Sequence, residues 1–147
     1  MKITDAEKKA LKGRGYIMTR DGEHFIARLI TVDGVLTSEQ FTVAAEAAEK
    51  FGNGQLAMTS RLTIEVQGLT YDTIEPFNEY ISKAGLYTGG TGSRVRPIVA
   101  CKGTVCIHGL IDTQGLAREL HEKFYKGWYD IKLPHKFKIG VGGCPNN

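Results

Sequence analysis

Three cysteines raise the question of chemistry. Cys101 and Cys106 enclose four residues, Lys102-Gly103-Thr104-Val105, and Cys144 follows a glycine pair and precedes Pro145. Zinc sites favour tighter pairs such as C-x2-C, so this spacing suits zinc poorly. Thioredoxin-like exchange needs C-x-x-C, which the chain lacks. Iron–sulfur clusters use four thiolates, accept looser spacings and take ligands followed by proline. Three unrelated buried thiols fit the same residues, because free cysteine is commonly buried. The odd count means either a spare thiol or a set of four that lacks a member.

The basic residues form a second constellation. Arg94 and Arg96 are two apart, as are Lys136 and Lys138, so an extended backbone puts each pair on one face. The lysine face continues as Gly140 and Gly142, and Phe137, Ile139 and Val141 form the other face. Two cations beside bare backbone suit a bulky anionic ligand. A solvated edge strand with protective lysines has the same pattern. His24, His108, His121 and His135 show no ligand spacing, and His121 is expected on a helix surface. There is no Ser-His-Asp arrangement, Walker loop or H-E-x-x-H motif. Gly89-Gly90-Thr91-Gly92 follows a predicted helix rather than a strand, so it is not a dinucleotide fingerprint.

Composition narrows the classes. The chain has 147 residues, 41% hydrophobic and 24% charged, with a net charge of +3. That suits a globular chain of one domain or two small ones, and a charge this small is a weak argument for nucleic acid. No apolar run approaches the roughly 20 residues of a membrane span. The first residues are charged and show no secretory h-region, which favours a cytoplasmic protein without disulfides. Eighteen glycines exceed the usual ~7%, and many fall late in the chain.

The elements that must position these residues follow from periodicity and caps. A helix is expected over 4–12 behind Thr4, and a strand over 24–31. Thr37 and Gln40 form a capping box for a helix ending at Gly52, with Phe41, Ala44, Ala45, Ala48 and Phe51 inward. Residues 55–67 alternate as one strand, with Leu56, Met58, Leu62, Ile64 and Val66 on the core face. A third helix covers about 73–84, with Ile74, Phe77, Tyr80, Ile81 and Ala84 inward. Helices over one face of a sheet make an α/β sandwich. A linker is expected at 89–93. Beyond it come a strand at 97–100, a helix at 113–126 capped by Asp112 with Leu116, Leu120 and Phe124 in one stripe, and a strand at 136–141.

Several motifs together carry a resemblance. Arg96-Pro97-Ile98-Val99-Ala100-Cys101, Cys106, the run Leu133-Pro134-His135-Lys136-Phe137-Lys138-Ile139 and Gly143-Cys144-Pro145-Asn146-Asn147 resemble the nitrite and sulfite reductase family. In the first half, Gly34-Val35-Leu36-Thr37 and Thr59-Ser60-Arg61 resemble its ferredoxin-like half-domain. The resemblance implies an α+β protein: a ferredoxin-like α/β sandwich half-domain at 1–88, then the start of a sirohaem/[4Fe–4S] α/β domain at 89–147.

The resemblance also implies roles. Cys101, Cys106 and Cys144 match the first three of four cluster ligands, and the fourth is expected one residue beyond Asn147. The C-x4-C spacing is nearer to that of the small anaerobic sulfite reductases. Lys136 and Lys138 would bind the anionic substrate, helped by Arg96 and Arg28. Arg61, Arg94 and Thr59 are expected on the cofactor side. The implied cofactors are a [4Fe–4S] cluster and sirohaem, both expected absent or incomplete in a chain this short, and such a fragment is expected to be inactive by itself. The implied partners are sulfite or nitrite, an electron-donor protein or subunit, and a second copy or partner subunit with another ferredoxin-like half-domain. Nucleic acid and a membrane span are not expected. A non-catalytic iron–sulfur electron-transfer or accessory module and a simple anion-binding domain are the competing readings.

Overall fold

The structure, a computed structural model, describes residues 3–146. Its contacts divide the chain into two units. One runs to Ile30 and resumes over Leu36–Thr91, and the other takes Thr31–Val35 and the chain from Gly92.

The first unit is a mixed helix and sheet fold in the order α1 (Asp5–Gly13), β1 (Tyr16–Met18), β2 (Phe25–Leu29), α2 (Ser38–Phe51), β3 (Leu56–Met58), β4 (Ile64–Leu69) and α3 (Ile74–Ser82). The strands form one antiparallel sheet in the order β1-β2-β4-β3. Both expected N-terminal signals operate. Thr4 and Glu7 close one capping box, and Thr37 and Gln40 close another. Phe25, Ala27 and Leu29 of β2 and Ile64, Val66 and Leu69 of β4 are buried with Ala44, Ala47 and Ala48 of α2 and Ile74, Phe77 and Ile81 of α3. Phe41 and Ala45, expected inward on α2, are exposed.

One strand is unexpected, and one expectation changes. Tyr16–Met18 is a strand that pairs with β2, and its three residues are too few to show a period. Residues 55–67 are a hairpin rather than one strand, because the chain reverses at 59–63. Thr59 Oγ1 accepts from the amides of Arg61 and Thr63, and Leu62 turns with φ 58°. Leu56 and Met58 are exposed, the latter by 76%, because β3 is an edge strand, and Leu62 is exposed in the turn.

The second unit contains β5 (Val99–Ala100), a 3-10 turn (Gly103–Val105), α4 (Thr113–Leu120), a π-helical turn (His121–Lys126) and β6 (Gly140–Val141). β5 and β6 pair in parallel. The segment before β6 continues that pairing irregularly: Phe137 N–H donates to the Arg94 carbonyl over 3.1 Å, and Arg96 N–H donates to the Phe137 carbonyl over 2.8 Å. Phe137, expected on an apolar back, is exposed. Asp112 caps α4 by accepting from Gly115 N–H. The buried stripe is Thr113, Ala117, His121 and Tyr125, not Leu116, Leu120 and Phe124. Its members are four apart, so two polar residues and a tyrosine hide an i, i+4 face. His121 is fully buried, with its ring stacked on Tyr125 at 5.0 Å. No helix among the described residues is long and apolar enough to cross a membrane.

Candidate iron–sulfur and anion site

The second unit holds all three cysteines, each a half-buried free thiol. Cys101 directly follows β5, and its N–H donates to the Val141 carbonyl over 3.0 Å. That bond carries the β5–β6 ladder one residue further and brings Cys101 beside the turn before Cys144. The amide of Gly143 donates to Cys101 Sγ over 3.2 Å. Cys106 ends the 3-10 turn, and its carbonyl accepts from Gly109 N–H over 2.9 Å. Among the described residues, no group of three His, Cys, Asp or Glu side chains is gathered closely enough to hold a metal ion.

The glycines here are a packing requirement. A Cβ on Gly143 would lie 3.0 Å from Gly103 Cα and 3.2 Å from Cys101 Sγ. A Cβ on Gly109 would collide with the Gly103 carbonyl. Bare backbone at Gly143 therefore lies against the Cys101 thiol, and its amide points at that sulfur. Soft thiol donors with amide-to-sulfur hydrogen bonds match the environment that iron–sulfur clusters use to tune potential. The donors fit such a group in chemical type.

The basic residues have distinct surroundings. Lys136 and Lys138 are exposed on the segment that leads into β6. Arg94 is half-buried, donates to the Tyr129 carbonyl over 3.0 Å and lies 5.7 Å from the Tyr129 ring centroid. Arg96 is half-buried, with its backbone paired to Phe137. The structure thus brings Arg94 and Arg96 alongside the lysine segment through the pairing at Phe137. In the first unit, Arg28 is engaged by Glu65 and the Gly90 carbonyl. Arg61 and Thr59 sit in the 59–63 turn. Burial pushes the Arg61 pKa down from its ordinary value. Thr59 and Thr63 hydroxyls are hydrogen-bonded at 2.6 Å. Asn147 lies outside the described residues.

Spacing arguments passed over two supporting residues. Asp33 Oδ1 accepts from Ala100 N–H over 2.6 Å, one residue before Cys101. Burial raises the Asp33 pKa, and the Ala100 amide and Arg118 oppose that rise. Thr113 Oγ1 donates to the Cys101 carbonyl over 2.7 Å. Asp33-Gly34 reads as an ordinary turn signal in the sequence, and φ 58° at Asp33 supports the turn. The only local cue to Thr113 is its place after the helix cap.

Known proteins share both halves. Residues 17–84 match the Nitrite/Sulfite reductase ferredoxin-like half domain, and residues 91–147 match the Nitrite and sulphite reductase 4Fe-4S domain. The chain belongs to the nitrite and sulfite reductase family. An uncharacterised protein of Methanocaldococcus jannaschii is 35% identical over 90% of this chain and 46% of its own length. The coenzyme F420-dependent sulfite reductase of the same organism is 33% identical over 86% of this chain and 20% of its own length. A subunit of the anaerobic sulfite reductase of Salmonella typhimurium is 34% identical over 78% of this chain and 36% of its own length. The chain therefore spans less than half of each of these relatives. The solved Mycobacterium tuberculosis NirA protein shares the fold, with TM-score 0.79 at 14% identity over 96% of this chain and 30% of that one.

Proposed function

We propose that this chain is part of a sirohaem-dependent reductase of sulfite or nitrite. It would contribute a ferredoxin-like half-domain at 1–88 and cluster-side residues at 89–147. The observation that carries this reading is the union of two family halves with three thiols, Cys101, Cys106 and Cys144, all in the second match. These thiols would be ligands of a [4Fe–4S] cluster. Arg61, Arg94 and Thr59 would face the carboxylates of sirohaem. When bound, the two cofactors would supply the electrons and the iron for a multi-electron reduction.

The chain's own residues would manage the anion and its protons. Lys136 and Lys138 carry exposed ammonium groups, suited to holding an oxyanion and donating protons as oxygen leaves as water. Arg96, whose backbone pairs with Phe137 between the two lysines, would add a permanent positive charge. Arg28 would contribute a further cation. An electron-donor protein or subunit, a second ferredoxin-like half-domain from another copy or subunit, and a cytoplasmic setting belong to the same reading.

The test is a Lys136→Ala/Lys138→Ala double variant made in the full reductase that carries this chain, reconstituted anaerobically with iron, sulfide and sirohaem. Sulfite or nitrite turnover should fall while both cofactors' absorption bands are kept. Unchanged turnover would refute the anion role. Iron–sulfur absorption without turnover in the unaltered protein would instead favour an electron-transfer or accessory module.

A further inference from the structure

We propose that Thr113 is a positioning residue for the cysteine loops. Its hydroxyl fixes the turn that starts at Cys101, and its methyl group sets how closely that turn approaches the glycine before Cys144. The proposal takes its purpose from the cluster reading above, but its geometry stands independently.

Thr113 opens α4 and is fully buried. Its Oγ1 donates to the Cys101 carbonyl over 2.7 Å and accepts from Thr104 N–H over 3.2 Å. One hydroxyl thus uses both its donor and an acceptor position within one loop. The carbonyl belongs to the first cysteine, and the amide belongs to the turn that leads to Cys106. The Thr104 side chain completes the link. It donates to Asp112 Oδ1 over 2.6 Å and accepts from Gln114 N–H over 2.9 Å. The start of α4 and the Cys101–Cys106 loop therefore hold each other at several points.

The methyl group meets the other cysteine's approach. A Cβ on Gly103 would lie 2.7 Å from Thr113 Cγ2, and a Cβ on Gly143 would lie 2.8 Å from the same atom. Both glycines are already packed on that methyl. Gly143 precedes Cys144, and its amide donates to Cys101 Sγ. The Cys101 carbonyl, the inter-cysteine turn and the Cys144 approach thus converge on one side chain. Capping of α4 belongs to Asp112, so it does not account for Thr113. Groups behind metal ligands fix ligand orientation, and changing them typically costs about 10–100-fold in metal affinity.

Threonine carries the two functions on separate atoms, so they can be tested separately. Thr113→Val keeps the methyl and removes the hydroxyl, and Thr113→Ser does the reverse. In the apo protein, amide exchange at Thr104 and iodoacetamide modification of each cysteine are followed. Thr113→Val should speed Thr104 exchange by about fivefold, the worth of one lost hydrogen bond, and raise Cys101 alkylation more than Cys106 alkylation. Thr113→Ser should keep Thr104 protected while raising Cys144 alkylation. After anaerobic addition of ferrous iron and sulfide, Thr113→Val should release iron faster than the unaltered protein. Thr104 exchange and Cys101 alkylation unchanged in Thr113→Val would overturn the proposal, as would equal changes at all three cysteines. If Thr113→Val does not fold by far-ultraviolet circular dichroism, the Cys144 rate in Thr113→Ser decides. If the full reductase that carries this chain takes up no iron, the cluster reading fails while the apo-protein rates still decide the positioning role.

Discussion

Arg28 and Glu65 are direct partners across adjacent strands β2 and β4 and share a two-point ion pair. Arg28 Nη2 lies 2.6 Å and Nε 3.1 Å from the same Glu65 oxygen, and Nη1 donates to the Gly90 carbonyl over 3.1 Å. Both side chains are more than four-fifths buried, at 18% and 17% exposure. The guanidinium therefore tethers the Gly89–Gly90 segment to the sheet. Any anion it helps to bind must use the N–H groups that remain.

Breaking this pair on one side should be costly. Glu65→Gln leaves a poorly compensated cation in a partly buried place, and the expected loss is about 1–3 kcal/mol in urea denaturation. Arg28→Lys should recover little of the stability lost in Arg28→Ala, because an ammonium group cannot reproduce the fork that reaches Glu65 and Gly90 together. Equal stabilities for Glu65→Gln and the unaltered chain would remove the pair from any account of the sheet.

Some of this architecture is legible in the sequence because it is written locally. The two capping boxes and the buried faces of β2 and α3 are set by residues three or four positions apart, or by strict alternation. The hairpin at 59–63 was hidden because apolar Leu56, Met58 and Leu62 keep alternating through the reversal. The buried stripe of α4 was hidden because Thr113 and His121 occupy positions that usually belong to apolar residues. At the candidate site, cysteine and lysine spacings are visible in the chain. The contacts of Asp33 with Ala100 and of Thr113 with Cys101 join residues whose relation has no local pattern.

The same hairpin supplies a stability test. Leu62 has φ 58°, in the left-handed region where a β-carbon is unfavourable, and its side chain is more than one-third exposed. Leu62→Gly removes that strain at the cost of extra freedom in the unfolded chain. The left-handed penalty is about 1–2 kcal/mol and the entropic cost about 0.5–1 kcal/mol, so thermal unfolding should show a small net gain. A clear loss would mean that Leu62 contributes packing its exposure does not suggest.

His121 makes stability depend on pH in a defined direction. Burial lowers its pKa from the ordinary 6.5, Lys126 lowers it further, and Glu122 opposes them. The unfolded chain therefore takes up the proton more readily. This contribution is present above about pH 6.5 and is lost as the pH falls toward the depressed folded value. The urea midpoint should drop between about pH 7.5 and 5.5. In His121→Phe, which keeps a ring beside Tyr125, the drop should be smaller. An identical pH dependence in the variant would place the acid sensitivity elsewhere.

Gly143→Ala tests the packing between the two cysteine loops, with Gly140→Ala as its internal control. At Gly143 the new carbon would sit 2.8 Å from Thr113 Cγ2 and 3.0 Å from Gly103 Cα. The second neighbour is backbone and cannot rotate away, so the loops must separate. Overpacking of this kind typically costs about 1–3 kcal/mol. The displaced amide should also lose its bond to Cys101 Sγ, so Cys101 alkylation should rise. At Gly140 the nearest atom is Val99 Cγ2 at 3.6 Å, an ordinary contact. Gly140→Ala should therefore leave stability and all three thiol rates close to the unaltered chain. Equal behaviour of the two variants would show that the loops have room for a β-carbon between Thr113 and Gly103.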